Sequence, residues 1–323
     1  AGGSLVACGA SGFNGRLWSG AIVVAGADGL GLTGSAPTRA GICALACVSS
    51  PASSSSSSAV ILASGNDAGA VELWSCVADG ASGRPEVRHV GDAKGAHDGA
   101  VTSVSASPAP RPDAFAFATG GADGHLGLWD ASALRRIVCV QHAHVGAVHG
   151  TAVHPTDGNL VATAGEDGAV RVWDARAMGG CSSSGTAQMQ RSGDDIRRNM
   201  GRAFAVEWCR EGASIAVGYE SGEVCFLDVR SSSTGPRGLD TRGVVKAHSD
   251  AVRALAWDPE SLRLASCGDD GVTACHSGEV PVTTSASVHG ENYARCVMWS
   301  SPREGVAQLY SGGWDGALRV VAI

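Results

Sequence analysis

Four aspartates in this chain keep the company that a hydrolytic triad needs. Asp123 has Thr119 four residues before it and His97 further upstream; Asp167 has Thr163 and His144, Asp270 has Ser266 and His248, and Asp315 has Ser311 and His289. A carboxylate that orients an imidazole, which in turn takes the proton of a hydroxyl, makes a nucleophile. One more residue changes the reading. Six positions after these aspartates stand Trp129, Trp173, His276 and Val321 respectively. An indole N–H aimed at the hydroxyl closes the row of donors and acceptors into a relay that a protein interior tolerates. An active site is a single place, and four copies of one arrangement are not four active sites. His97, Thr119, Asp123, Trp129, His144, Thr163, Asp167, Trp173, His248, Ser266, Asp270, His289, Ser311 and Asp315 are therefore expected to be structural, and no catalytic residue is expected.

Three other motifs invite a chemical reading. Gly29-Leu30-Gly31-Leu32-Thr33-Gly34 has the spacing of a dinucleotide-binding loop. Such a loop works only when a helix follows and aims its N-terminus at phosphate, and Ser35-Ala36-Pro37-Thr38 carries no helical pattern. His142 and His144 would place two imidazoles on one strand face, but a third metal ligand is missing and the relay already uses His144. Neither a metal nor a cofactor is expected. Trp173-Asp174-Ala175-Arg176 is similar to the blade ending of propellers that serve cullin-type ubiquitin ligases as substrate receptors. That resemblance would give Arg176 an adaptor-binding role; the simpler reading is a solvated blade end.

The elements that must hold these residues repeat. Asn66–Trp74, Ala122–Asp130, Glu166–Asp174 and Glu220–Asp228 share one phrase, with weaker copies at Asp269-Asp270-Gly271 and Trp314-Asp315-Gly316. The aligned glycines are Gly69, Gly124, Gly168, Gly222, Gly271 and Gly316, so neighbouring copies lie 44 to 55 residues apart. A propeller blade takes about 40–45 residues. The excess falls in Ser53–Ser58, Gly80–Gly95, Gly179–Gly201 and Ser231–Gly243, whose composition reads as loop. Each copy reads as strand, tight turn and strand, the turn glycine adopting positive φ cheaply. The runs Ser4–Cys8 and Gly15–Val24 supply one copy more.

The expected fold is an all-β, seven-bladed WD-repeat β-propeller in a single domain spanning residues 1–323. Its blades are expected at about 1–40, 41–78, 97–131, 144–175, 202–229, 248–277 and 289–323. Rings of this kind close by pairing strands from the two chain ends. The first blade begins abruptly at Ala1, so the closing strand is expected upstream of it.

Composition narrows the function classes. With 24 basic and 31 acidic residues the formal net charge is −7. That balance disfavours a phosphate-binding face and suits attraction of basic protein tails. No direct nucleic-acid partner is expected. No apolar run reaches the length of a membrane span and no signal peptide is visible, so no membrane association is expected. The 11 cysteines are scattered and include no Cys-x-x-Cys pair, which reads as free, mostly buried thiols of a reducing compartment.

A narrower resemblance lies in Gly9-Ala10-Ser11-Gly12-Phe13-Asn14-Gly15-Arg16-Leu17-Trp18-Ser19-Gly20, supported by Ser64–Trp74, Trp299-Ser300-Ser301-Pro302 and Gly313-Trp314-Asp315. Over nearly its whole length the chain resembles the methylosome WD-repeat subunit, the obligate partner of the type II (symmetric) protein arginine methyltransferase. The resemblance implies a non-catalytic scaffold, cytoplasmic and nuclear, that forms a hetero-oligomer with the methyltransferase and presents basic substrates such as histones or Sm proteins. It also implies that Trp18, with Arg16 and Leu17, meets the enzyme's amino-terminal barrel. Trp and Arg are enriched at binding hot spots. The residues alone also allow Trp18 to be a packed strand residue. The Ser53–Ser58 and 179–201 stretches read as insertions that would reshape a substrate surface.

Overall fold

The structure is a computed structural model and describes residues 5–13, 18–26, 32–48, 60–78, 85–107, 115–177, 190–191, 200–230, 238–277, 284–300 and 307–321. It divides into two compact units, residues 1–161 with 174–187 and residues 162–173 with 188–323.

The first unit begins with a three-stranded antiparallel sheet, β1 (Leu5–Phe13), β2 (Trp18–Gly26) and β3 (Leu32–Thr38). A four-stranded sheet follows: β4 (Ile42–Val48), β5 (Val60–Asn66), β6 (Val71–Ala78) and β7 (Pro85–Ala93). The next has β8 (Val101–Ala106), β9 (Phe117–Gly121), β10 (Leu126–Asp130) and β11 (Arg135–Val140). Strand β12 (Val148–Val153) packs beside β8 and β9.

The second unit takes up most of β13 (Leu160–Gly165) and β14 (Val170–Asp174), with β15 (Gln190–Arg191) paired to β14. Two four-stranded sheets and a three-stranded one follow. They are β16 (Ala203–Trp208), β17 (Ser214–Tyr219), β18 (Glu223–Arg230) and β19 (Gly238–Lys246); then β20 (Val252–Trp257), β21 (Arg263–Gly268), β22 (Thr273–Ser277) and β23 (Thr284–Ala286); then β24 (Ala294–Trp299), β25 (Leu309–Gly313) and β26 (Leu318–Val321). The repeated all-β sheets are those of a β-propeller.

The Asp-Gly turns work as the sequence implies. Between β9 and β10, Gly124 sits at φ +76°, its N–H donates to Gly121 O at 3.1 Å, and Gly121 N–H donates to His125 O at 3.2 Å. Strand β9 is buried at every residue. A middle strand with sheets on both faces has no polar side to show, so its sequence reads as a continuous apolar or small-residue run.

Within each unit, consecutive sheets approach through a small residue. A Cβ built on Gly65 would meet Val101 Cγ1 at 2.3 Å, one on Gly120 would meet Val148 Cγ1 at 2.6 Å, and one on Gly218 would meet Val252 Cγ1 at 2.6 Å. A middle-strand glycine thus receives the first valine of the next sheet. The layers so formed hold the core: Ile22, Leu62 and Trp74 between the first two sheets, and Val71, Leu73, Val101, Phe117 and Trp129 between the next two. In the second unit the layers are Val224, Phe226, Val252 and Leu264, then Cys267, Ala294, Trp299 and Leu309.

The structure corrects the loop assignments. Gly80–Gly95 contains β7, Gly179–Gly201 contains β15, and Ser231–Gly243 contains the start of β19. Each fourth strand lies beyond the point where its copy was expected to end. Ser53–Ser58 falls outside the described residues.

Candidate functional site

The relay is complete in the sheet β8–β11. His97 Nδ1 lies 3.0 Å from Asp123 Oδ1 and His97 Nε2 lies 2.8 Å from Thr119 Oγ1, while Trp129 Nε1–H donates to Thr119 Oγ1 at 2.9 Å. An ionised carboxylate only accepts, so Nδ1 carries the proton. Nε2 then accepts from the Thr119 hydroxyl, whose oxygen accepts from the indole. Burial pushes the His97 pKa down despite Asp123, which keeps the ring neutral as this pattern requires. Burial also opposes the Asp123 charge, but the N–H groups of Asp98 (2.9 Å) and His125 (3.0 Å), with His97, hold its carboxyl below its ordinary value.

This arrangement is built to be closed. Thr119 and Ser266 are 0% exposed and Ser311 is 1% exposed. Each oxygen accepts a hydrogen bond from beyond the His: from Trp129 onto Thr119, from His276 onto Ser266, and from Thr273 onto Ser311. A hydroxyl so sealed and so occupied does not reach a carbonyl carbon.

The other copies preserve the logic with different parts. His248 Nδ1 meets Asp270 at 3.0 Å and its Nε2 meets Ser266 at 2.8 Å, while His276 Nε2 stands 2.9 Å from the same Ser266 oxygen. His276 therefore replaces the indole as an N–H donor. His289 meets Asp315 and Ser311, each at 3.0 Å. There Val321 has no polar atom, and the Thr273 hydroxyl of the preceding sheet donates to Ser311 at 3.0 Å instead. Thr163 accepts from Trp173 at 2.9 Å, and Asp167 holds Arg171 at 2.9 Å. His144 is buried, and its backbone N–H donates to Gly124 O.

A further partial relay escaped the sequence reading. Trp74 Nε1–H donates to Ser64 Oγ at 3.0 Å, and Ser64 faces Glu72 Oε2 at 3.5 Å. Asn66 Oδ1 accepts from the N–H groups of Ala68 and Ala70, taking over the turn-capping work of the aspartate. Ala68 at the aspartate position hid this copy. The Ser64–Trp74 spacing, equal to Thr119–Trp129, is the signal that would have found it.

Of the residues proposed to meet a partner, Trp18 opens β2 in register with Phe13. Arg16 and Leu17 lie outside the described residues. Arg176 follows β14 in a short 3-10 turn, where Asp174 holds it through Nε at 2.8 Å and Nη2 at 2.7 Å, with Asp157 at 3.2 Å. Its guanidinium is half exposed yet already paired. Leu32, Thr33 and Gly34 of the glycine motif lie in strand β3, and Gly29, Leu30 and Gly31 lie outside the described residues. His142 takes φ +54° and sets its ring edge-on to His125 at 5.5 Å.

Comparison with known families agrees with these repeats. The family "WD domain, G-beta repeat" matches residues 93–130 and 240–275. The family "Nucleolar protein 10-like, N-terminal domain", a β-propeller, matches residues 146–243. No curated protein matches the chain. The matched repeats, the antiparallel sheets and the buried relays make the chain a WD-repeat protein with a β-propeller fold.

Proposed function

We propose that the chain is a non-catalytic platform, a single seven-bladed propeller that docks a type II protein arginine methyltransferase and presents basic substrates such as histone or Sm protein tails. The observation that carries the non-catalytic part is the relay. Every copied Asp–His–Ser/Thr group has its hydroxyl sealed and its oxygen occupied, so the residues that suggest hydrolysis are used in holding blades together. The partner rests on the similarity of Gly9–Gly20 to the methylosome subunit, and Trp18 is the docking residue in that reading. The net charge of −7 supports attraction of arginine-rich tails.

Co-purification from the native source followed by pull-down with recombinant methyltransferase tests this. The methyltransferase is expected to be retained, and Trp18→Ala to weaken binding by about 2 kcal/mol, the size of a hot-spot loss, with an unchanged melting temperature. Recovery of a cullin adaptor, with binding abolished by Arg176→Ala, would overturn the assignment in favour of a ubiquitin-ligase receptor.

A further inference from the structure

One face of the second unit carries a run of arginines, aromatics and carboxylates that the relay does not use. It is built from two repeated positions. The first is the bulged second residue of each opening strand: Phe204, Arg253 and Arg295, where the pairing register skips from Ala203 to Ala205, from Val252 to Ala254 and from Ala294 to Cys296. A bulge re-aims its side chain out of the regular alternation. The second is the residue just before each turn aspartate or its equivalent: Glu220, Asp269 and Trp314.

These side chains meet in sequence. Arg202 pairs with Glu220 at 2.6 Å and lies 5.4 Å from the centre of the Phe204 ring, and Arg253 covers the same ring at 4.0 Å. Arg253 Nε donates to Asp269 Oδ2 at 2.7 Å. Arg295 stands 3.5 Å from the other oxygen of Asp269, outside ordinary hydrogen-bond geometry. It also lies 4.6 Å from the Trp314 ring centre and 5.3 Å from that of Tyr293. Trp314 and Tyr293 meet edge to face at 5.2 Å and are 65% and 40% exposed.

The charges do not balance at this end. Two guanidiniums, Arg253 and Arg295, converge on one carboxylate, and Arg253 makes the hydrogen bonds to it. Arg295 Nε is a buried N–H with no acceptor among the described residues. A guanidinium offers a planar fork of donors that a carboxylate matches. Here the Nε of that fork has no acceptor among the described residues, Nη1 stands 3.5 Å from an Asp269 oxygen that itself takes no hydrogen bond among them, and the group sits beside two exposed rings.

We infer that the Arg295–Tyr293–Trp314 cluster is a docking site for an acidic peptide segment, with one carboxylate on Arg295 and a neighbouring apolar or aromatic side chain laid on Trp314 and Tyr293. Exposed large aromatics beside an arginine are the composition of a binding hot spot. The excess positive charge selects the sign of the partner, opposite to that of the basic tails proposed as substrates. The site therefore gives the platform a second, chemically distinct client.

Fluorescence anisotropy tests this with a labelled peptide carrying Asp and Glu around one Phe. Its Asn/Gln counterpart and an Arg-rich peptide of the same length serve as comparisons. The acidic peptide is expected to bind in the micromolar range and to weaken at least tenfold in the Asn/Gln form. Arg295→Gln is expected to cost at least tenfold, and the exposed Trp314→Ala about fivefold with an unchanged melting temperature. Higher salt weakens the complex. Three results would overturn the inference: tighter binding of the Arg-rich peptide, equal binding of the acidic and amide peptides, or unchanged affinity in Trp314→Ala. The readout needs no methyltransferase, so its outcome is independent of the partner assignment.

Discussion

Ser266 receives two imidazoles where Thr119 receives one imidazole and one indole, and that substitution has a pH consequence. Ser266 donates its proton to His248 and accepts from His276 Nε2–H. His276 Nδ1 is then a buried acceptor without a partner among the described residues. Protonating it would bury a charge and an orphan donor, so burial, with His248 nearby, pushes the His276 pKa from 6.5 down to about 4. The unfolded chain therefore takes up a proton that the folded chain refuses. The contribution of His276 is intact above pH 6.5 and is lost as pH falls toward 4, by roughly 3 kcal/mol at most. Thermal midpoints measured between pH 7 and pH 5 should fall less steeply for His276→Phe than for the natural chain; equal slopes would contradict this account. Asp123→Asn removes the charge and replaces one accepting oxygen by an NH2 donor, so the side chain can no longer accept from both the Asp98 and His125 N–H groups and from His97 as the carboxylate does. It should cost on the order of 2–3 kcal/mol, read as a lowered melting temperature.

At this scale the relay was legible wherever Asp, His and Ser/Thr all kept their identities, because a buried polar row leaves its residue types at fixed spacings. It was not legible where the donor changed. Thr273 reaches Ser311 from the neighbouring sheet, and no spacing within one repeat announces a bond between two. The Arg295 cluster was hidden for the same reason: Arg253, Asp269 and Arg295 come from two consecutive repeats.

Among the elements, the middle strands were the most legible and the fourth strands the least. Strand β9 is buried throughout and reads apolar or small, whereas β7 alternates between exposed and intermediate over most of its length. A strand at the edge of a sheet with one face in water carries too little hydrophobic pattern to separate it from a loop. The turn glycines are legible because few other residues take positive φ. Gly124 sits at +76°, and a Cβ there would stand 2.6 Å from the Gly146 carbonyl; Gly316 sits at +71° with nothing within 4 Å. Gly316→Ala should therefore cost about 1 kcal/mol from backbone strain alone. Gly124→Ala should cost clearly more, since a backbone oxygen must also move. Melting temperatures of the two variants check the order, and equal losses would refute the close approach.

Across the whole molecule, the groups that hold the sheets together are distinct from those proposed to meet partners. The buried His, Asp and hydroxyl groups of the relays are bonded within and between the sheets, and the exposed Trp314 stands apart from them. Trp18 at the start of β2 and Trp314 before the last turn are the two tryptophans proposed to meet partners. In the function proposed above, the chain acts by holding a methyltransferase. This is tested most directly by mixing the purified chain with purified type II enzyme and measuring sedimentation across a concentration series. One larger species is expected for the natural chain, and a mixture of separate components for Trp18→Ala at the same micromolar concentrations. Separate sedimentation of the natural chain and the enzyme at every concentration would contradict it.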